Sequence, residues 1–195
     1  MRIAIDLDDV TVAIMDGLLK YHNGKYNTEF LVEHHTSWDL DKIWACTPNE
    51  AMRRVYDFYK SEYMDKLLPM PGAIEGIHNL NDKHSLFFVT SRPTFIKEKT
   101  TIWLNEHLPN LSIPVYFTNQ YSPEREKKEK KSDVCKRLNI ELIIEDAPSN
   151  ISDCIMNNIR VLVYSRPWNT SLIDTELMTR VHTWKDIVSN ISKYE

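Results

Sequence analysis

The chain has 195 residues, 42% of them hydrophobic and 27% charged, with a formal net charge of −4. That length carries one sizeable core, or one core with a small appended subdomain, and the acidic balance excludes a broad basic footprint for nucleic acid. Three widely spaced cysteines, Cys46, Cys135 and Cys154, form no C-x-x-C pair, which argues against a disulfide framework or a structural zinc site and fits a reducing compartment. Asp6 comes too early to leave room for a signal-peptide apolar region, and no apolar run approaches the length of a membrane span. A cytoplasmic protein is expected.

Residues 2–7 read as a buried strand, followed by a helix over 11–24 in which Val12, Met15, Leu18, Leu19 and Tyr21 recur near helical spacing and Gly24 is a stop. From 25 to 68 the texture changes to Trp, Tyr, Phe, Met and charges with no convincing strand. Thr47-Pro48-Asn49-Glu50 reads as a helix start, with Thr47 as cap, Pro48 at the first position and Glu50 at the third. That helix is expected to run through Met52, Val55, Tyr56 and Tyr59 towards Met64. Residues 16–68 are therefore expected to form a small helical insert, with 1–15 and 69–195 as the main α/β domain.

Leu68-Pro69-Met70-Pro71-Gly72-Ala73 breaks the helix and re-enters that domain. A helix over 73–83 precedes a second strand, Ser85-Leu86-Phe87-Phe88-Val89-Thr90, and a helix from about 94 to 107 follows. Residues 114–118 are a third strand, 124–138 a charged helix, 141–146 a fourth strand, 149–157 a short helix and 160–164 a fifth strand. The stretch from about 174 to 192 reads as helix. Strands alternating with helices predict a five-stranded parallel sheet with helices on both faces.

Three of these strands end in chemistry: Asp6-Leu7-Asp8, Thr90-Ser91-Arg92 and Glu145-Asp146. In a parallel sheet these ends share one crevice, and Lys131, at the start of the helix leading into the fourth strand, reaches the same rim. Clustered carboxylates in one turn are tolerable with a cation among them, and hard oxygen ligands suit Mg²⁺. Each part has a role in phosphoryl transfer. One carboxylate attacks phosphorus, and a second, two residues on, protonates the leaving oxygen and then activates water. A hydroxyl and a lysine hold the phosphoryl oxygens.

Asp6-x-Asp8, the strand-ending Thr90, the later Lys131 and the acid pair Glu145-Asp146 resemble, in order, the four motifs of the haloacid dehalogenase superfamily. A closer resemblance is to its 5'(3')-deoxyribonucleotidase family, through Leu68-Pro69-Met70-Pro71-Gly72-Ala73, Val89-Thr90-Ser91-Arg92-Pro93, Lys131-Ser132-Asp133-Val134-Cys135, Ile144-Glu145-Asp146-Ala147-Pro148 and Arg166-Pro167-Trp168-Asn169. The resemblance implies a Rossmann-like core with a helical cap. It implies Asp6 as nucleophile and Asp8 as general acid/base, with the Asp8 main-chain carbonyl on the metal. It also implies Thr90 and Lys131 on phosphate and Asp146 on Mg²⁺ with Glu145 beside it; Ser91, next to Thr90, is carried forward as a further phosphate candidate. Two positions depart from the family pattern: Asp9 stands where Gly is frequent, and Glu145 stands in a pair that is often Asp-Asp.

Several assignments stay open on sequence alone. Lys130 is the alternative to Lys131. Arg92 is placed either on the phosphate or substrate or in a pair with surface acids. Trp38, Trp44, Tyr56, Phe58, Tyr59 and Tyr63 either stack on a base or pack as core, and Trp38 and Tyr59 are carried forward as candidate substrate contacts. The expected activity is Mg²⁺-dependent hydrolysis of a small phosphomonoester, a nucleoside 5'- or 3'-monophosphate foremost, with no stable nucleic-acid or membrane binding and with a homodimer open. The alternatives are a phosphatase acting on a sugar phosphate or a nucleic-acid end, a phosphoacceptor signalling domain, and a non-catalytic binder.

Overall fold

The computed structural model describes residues 1–120, 122 and 127–194. Six strands form one sheet: β1 (Arg2–Ile5), β2 (Ser85–Thr90), β3 (Val115–Phe117), β4 (Leu142–Glu145), β5 (Arg160–Tyr164) and β6 (Met178–Val181). They lie in the order β3-β2-β1-β4-β5-β6, and every neighbouring pair is parallel. Ile5 pairs with Phe88 on one side and Ile144 on the other. The chain builds outward from β1 in one direction, then returns to lay β4 on its other flank. That reversal opens a crevice beyond the carboxyl ends of β1 and β4, where open α/β sheets take their ligands.

The inner strands read as continuous apolar runs because helices cover both faces. Alternate side chains point to opposite faces. Ile3, Ile5, Phe88, Leu142, Ile144 and Leu162 join one buried cluster, while Ala4, Phe87, Val89, Ile143, Val161 and Val163 join a second. The first cluster is closed by α5 (Ala73–Asn81), α6 (Lys97–His107) and α9 (Trp184–Ile191), and the second by α7 (Lys131–Arg137) and α8 (Pro148–Met156). Between β1 and α5 the chain forms α1 (Ile14–Tyr26), α2 (Leu40–Ile43), α3 (Pro48–Lys60) and α4 (Glu62–Asp65). These helices share the first cluster through Met15, Leu18, Phe58 and Met64, and Lys99 of α6 adds a polar link, its ammonium 2.6 and 2.8 Å from the Asp65 carboxylate oxygens. The Trp103 indole adds a hydrogen bond donated to the Leu67 carbonyl at 2.7 Å. No helix among the described residues is long and apolar enough to cross a membrane.

Three sequence expectations need correction. The sheet has six strands rather than five, because residues 178–181 form an edge strand instead of opening the last helix. With four residues and alternation reduced to Met178 and Val181 buried around Thr179 and Arg180, β6 carries too short a pattern to read. The helix itself starts at Trp184, where the Thr183 hydroxyl accepts from Asp186 N and the Asp186 carboxylate accepts from Thr183 N. The charged helix expected over 124–138 begins only at Lys131; residues 127–130 are not helical, and 124–126 lie outside the described residues. The helix opening at Thr47 stops at Lys60, where Ser61 turns to extended backbone, and a separate turn of helix carries Met64. Its start is as expected: the Thr47 hydroxyl accepts from Glu50 N at 3.2 Å.

Two packing details have measurable consequences. A Cβ placed on Gly76 of α5 would lie 2.4 Å from Trp184 Cε3 and 3.2 Å from Cδ2, and Trp184 is itself fully buried with its indole donating to the Val10 carbonyl. The close approach of α5 to α9 therefore requires glycine. Gly76→Ala should lower the stability to urea by about 1–3 kcal/mol through overpacking, more than the roughly 0.5–1 kcal/mol an alanine gains in a helix.

His22 sits among the helices of residues 14–65, stacked on Trp44 at 4.2 Å. Its Nε2 accepts from the Arg54 guanidinium at 3.0 Å, so Nδ1 carries the proton and donates to Thr28 Oγ1 at 3.0 Å. Burial, then the Arg54 charge, pushes its pKa down from 6.5 to about 4. As pH falls, the unfolded chain takes the proton first, so the stability this site contributes is lost between pH 6.5 and about 4. Melting temperature compared at pH 7 and pH 5 should fall for the natural protein and fall less for His22→Gln.

Candidate active site

β1 ends at Ile5, and the next residue continues the ladder: Asp6 N donates to the Ile144 carbonyl at 3.0 Å. This places the Asp6 side chain beyond the sheet edge, between the ends of β1 and β4. The chain then doubles back at once. Thr11 Oγ1 donates to the Asp6 carbonyl at 2.7 Å, and Thr11 N and Val12 N both donate to the Leu7 carbonyl. The tight loop needs a left-handed residue, and Asp9 supplies it with φ of 55°. That explains why glycine is frequent at this position in the family it resembles, and aspartate is among the side chains that tolerate the region. Asp9 is fully buried. Its Oδ1 accepts from Met15 N in the first turn of α1 at 3.3 Å and lies 3.5 Å from Arg166 Nη2. Burial raises its pKa to about 7, with Arg166 opposing.

Lys131, the first residue of α7, is buried with its ammonium 2.6 Å from Asp6 Oδ1 and 2.6 Å from Glu145 Oε2. Lys130, its alternative, reaches outward to Asp153 at 3.0 Å. Glu145 closes β4. Its other oxygen, Oε1, accepts from Asp146 N at 3.0 Å and Ala147 N at 2.9 Å. The extra methylene relative to aspartate lets this side chain span from its own backbone to Lys131. Asp146 follows, its Oδ2 accepting from the Trp168 indole at 2.7 Å and its carbonyl from Asn169 Nδ2 at 2.8 Å.

Asp6, Glu145 and Asp146 each offer an oxygen within 4.8 Å of the other two, and all three are buried. Burial, followed by repulsion from Glu145, holds the carboxyls of Asp6 and Asp146 well above the usual carboxylate range. Lys131 offsets part of this charge and is itself shifted upward, since its two acid partners outweigh burial. Three hard oxygen donors with surplus negative charge are the donor set a small divalent cation requires, so the residues present fit Mg²⁺.

Asp8 faces the same crevice from the opposite side. Arg92 Nη2 donates to Asp8 Oδ1 at 2.6 Å and Nε donates to the same oxygen at 2.9 Å, while Nη1 donates to Thr100 Oγ1 at 3.0 Å. Arg92 is buried, and it stands behind Asp8 rather than on the cavity wall. Thr90 is fully buried as well, with its hydroxyl accepting from Arg92 N at 3.2 Å. Ser91 reaches the cavity and sits 3.4 Å from Asn150 Nδ2 and 3.4 Å from Gln120 Oε1.

The carboxylates floor a cavity of about 230 Å³. Asp6, Asp8, Ser91, Asp146 and Asn150 line its base, and Leu18, Trp38, Val55, Phe58 and Tyr59 its walls. Trp38 and Tyr59 therefore reach the cavity, whereas Trp44, Tyr56 and Tyr63 do not line it. Sequence reasoning missed Asn150, Asp41 and Trp168. Asn150 left a signal, as a polar residue in the first turn of the helix that follows the acid pair. Asp41 left none, and Trp168 stood in the Arg166-Pro167-Trp168-Asn169 stretch that carries the family resemblance without a role attached, because the places of both depend on how distant segments meet.

The sequence pattern of the family described as 5' nucleotidase, deoxy (pyrimidine), cytosolic type C protein matches residues 1–194. YqfW of Bacillus subtilis, provisionally named a nucleotidase, is 25% identical over 192 residues, covering 96% of this chain and 92% of its own. A Bacillus cereus protein with the same provisional name is 20% identical over 197 residues, 99% of each chain. Among solved structures, a haloacid dehalogenase-like hydrolase, SP0104 of Streptococcus pneumoniae, superposes with a TM-score of 0.67 at 13% identity over 97% of each chain. YfnB of Bacillus subtilis, provisionally named a haloacid dehalogenase-type hydrolase and solved bound to magnesium, gives 0.61 at 13% identity over 97% of each chain. With the ordered strand-end residues, the parallel sheet and a family pattern spanning the chain, this protein belongs to the cytosolic type C 5' nucleotidase family of haloacid dehalogenase-like hydrolases.

Proposed function

We propose that this protein is a Mg²⁺-dependent nucleotidase that removes phosphate from nucleoside monophosphates, deoxynucleotides foremost, through an aspartyl-phosphate on Asp6. The observation that carries the reading is the buried Asp6 carboxylate, 2.6 Å from Lys131 and inside a three-carboxylate cluster at the floor of a largely apolar cavity. The family pattern names deoxynucleotides, and the YfnB structure holds magnesium.

Asp6 and Asp146 would hold Mg²⁺, with the Asp8 main-chain carbonyl and with Glu145 alongside. The ion supplies positive charge that offsets repulsion between the Asp6 carboxylate and an incoming phosphate. Lys131, Thr90 and Ser91 bind the phosphoryl oxygens. Asp6 Oδ attacks phosphorus, the ester P–O bond breaks, and the protonated Asp8 carboxyl gives its proton to the departing nucleoside oxygen. Asp8, now ionised, takes a proton from water as that water attacks the phosphorus of the aspartyl-phosphate. The P–Oδ bond breaks, releasing inorganic phosphate and restoring both carboxyl groups. Residues 16–68 act as a cap that excludes bulk water, with Trp38 and Tyr59 against the nucleoside.

Phosphate release should be measured from nucleoside 5'- and 3'-monophosphates, sugar phosphates and p-nitrophenyl phosphate, in Mg²⁺ and in EDTA. Release should be Mg²⁺-dependent and selective for nucleotides; equal or better release from sugar phosphates would overturn the substrate assignment. Asp6→Asn should abolish release while leaving the melting temperature within a few degrees, and full activity in that variant would remove Asp6 as nucleophile. Arg92→Ala frees Asp8 from its buried guanidinium. It should lower kcat by roughly ten- to a hundredfold with little change in KM, a loss within the ~10²–10⁴ that general acid–base catalysis contributes.

A further inference from the structure

We infer that Trp168 is a positioning residue for the metal centre, and that through Trp38 it couples the seating of the helical segment to the metal ligand Asp146. This rests on the reading above that Asp146 holds Mg²⁺.

The turn Pro167–Asn169 grips Asp146 twice. The Trp168 indole donates to the side chain, at Oδ2, over 2.7 Å. Asn169 Nδ2 donates both to the Asp146 carbonyl and to the Tyr164 carbonyl at 2.8 Å, tying the ends of β4 and β5 together. Trp168 and Asn169 are both buried, so water does not compete for these donors. A carboxylate with one oxygen held in a dry hydrogen bond loses rotational freedom and presents the other in a set direction, which is how outer partners orient metal ligands.

The choice of acceptor separates this from ordinary packing. Two other buried tryptophans, Trp103 and Trp184, donate their indole N–H to main-chain carbonyls, those of Leu67 and Val10. Among the described residues the buried Trp44 indole finds no acceptor at all, so the other buried indoles here take a neutral main-chain acceptor or none. Trp168 instead donates to one of three crowded buried carboxylates.

The second link is aromatic. The Trp38 ring packs on Trp168 with centroids 5.2 Å apart and planes at 60°, within the range where tilted aromatic pairs attract. The Arg166 guanidinium lies 5.0 Å from the same ring's centroid. Trp38 belongs to the segment between α1 and α2, and it also lines the cavity. One face of the cavity wall thus rests on the residue that holds Asp146. A shift of the helical segment displaces Trp38, relaxes Trp168 and loosens the carboxylate. By reciprocity, filling the metal site steadies the segment.

Isothermal titration of Mg²⁺ alone tests both links, with melting temperature in EDTA as the control for folding. Trp168→Phe keeps a ring for Trp38 and removes the N–H. It should weaken Mg²⁺ binding by about 10–100-fold; a lowered melting temperature with unchanged Mg²⁺ affinity would reduce Trp168 to a packing role and overturn the inference. Trp38→Leu keeps the hydrogen bond and removes the stacked ring. It should weaken Mg²⁺ binding by about fivefold or more; unchanged affinity there overturns the coupling. In the unaltered protein the Trp168 indole N–H resonance should shift on Mg²⁺ titration while those of Trp103 and Trp184 stay, and an unmoved Trp168 resonance counts against the hydrogen bond to a metal ligand. Mg²⁺ binding to the unaltered protein with no effect of either variant defeats this inference alone. Absence of Mg²⁺ binding in the unaltered protein defeats the metal reading as well.

Discussion

One buried ammonium holds the crevice together. Lys131 sits between Asp6, at the end of β1, and Glu145, at the end of β4, 2.6 Å from each. Those two strands are neighbours in the middle of the sheet, and their carboxyl ends would otherwise carry unpaired acids into a dry space. Breaking a buried ion pair by removing one partner costs about 3–5 kcal/mol, because the remaining charge has nowhere to go. Here a single lysine serves two carboxylates, with Asp146 as a third beside them. This crowding of acids around one lysine is what the proposed Mg²⁺ would offset.

The departures from the resembled family's pattern are absorbed by the same economy. Asp9 occupies a left-handed position where glycine would be at ease, and it brings a buried carboxyl with it. Arg166, from the turn after β5, approaches that carboxyl and also the Trp168 ring. Glu145 uses its extra length to fold one oxygen back on the amides of Asp146 and Ala147 while the other reaches Lys131. The backbone turn carrying Asp146 is thereby set by the side chain before it.

Charge on the other side of the crevice is arranged differently. Asp8 is partly exposed, and its partner Arg92 is buried, held in turn by Thr100. A planar guanidinium fixes a carboxylate through two nitrogens in one geometry. The nucleophile proposed here is thus braced from α7, and the acid/base from the strand-end turn after β2. The two braces come from opposite sides of β1, which leaves the space between Asp6 and Asp8 open to the cavity.

Much of this was legible in the chain. Apolar runs of four to six residues ending in Asp6, Thr90 and Glu145 marked the buried parallel strands, since each had to be covered on both faces. Their polar ends marked the crevice, because parallel strands put those ends on one edge. Lys131 could be preferred to Lys130 on its distance to the acid pair and its match to the resembled family's pattern, and Thr47 and Pro48 announced a helix start by local chemistry alone. What stayed hidden was set by distant partners. The edge strand β6 has four residues, too few to show a period. Arg92 reads as a surface or substrate group until Asp8, 84 residues earlier, is seen to accept from it. Trp38 reads as a candidate substrate contact and Trp168 stands in a stretch of family resemblance, but only the fold brings the two together beside Asp146. Local pattern was enough to locate the polar ends of the strands and the charges they carry. Which of those charges are paired, and which are left for a ligand, was decided by tertiary packing, because pairing depends on contacts that no local spacing encodes.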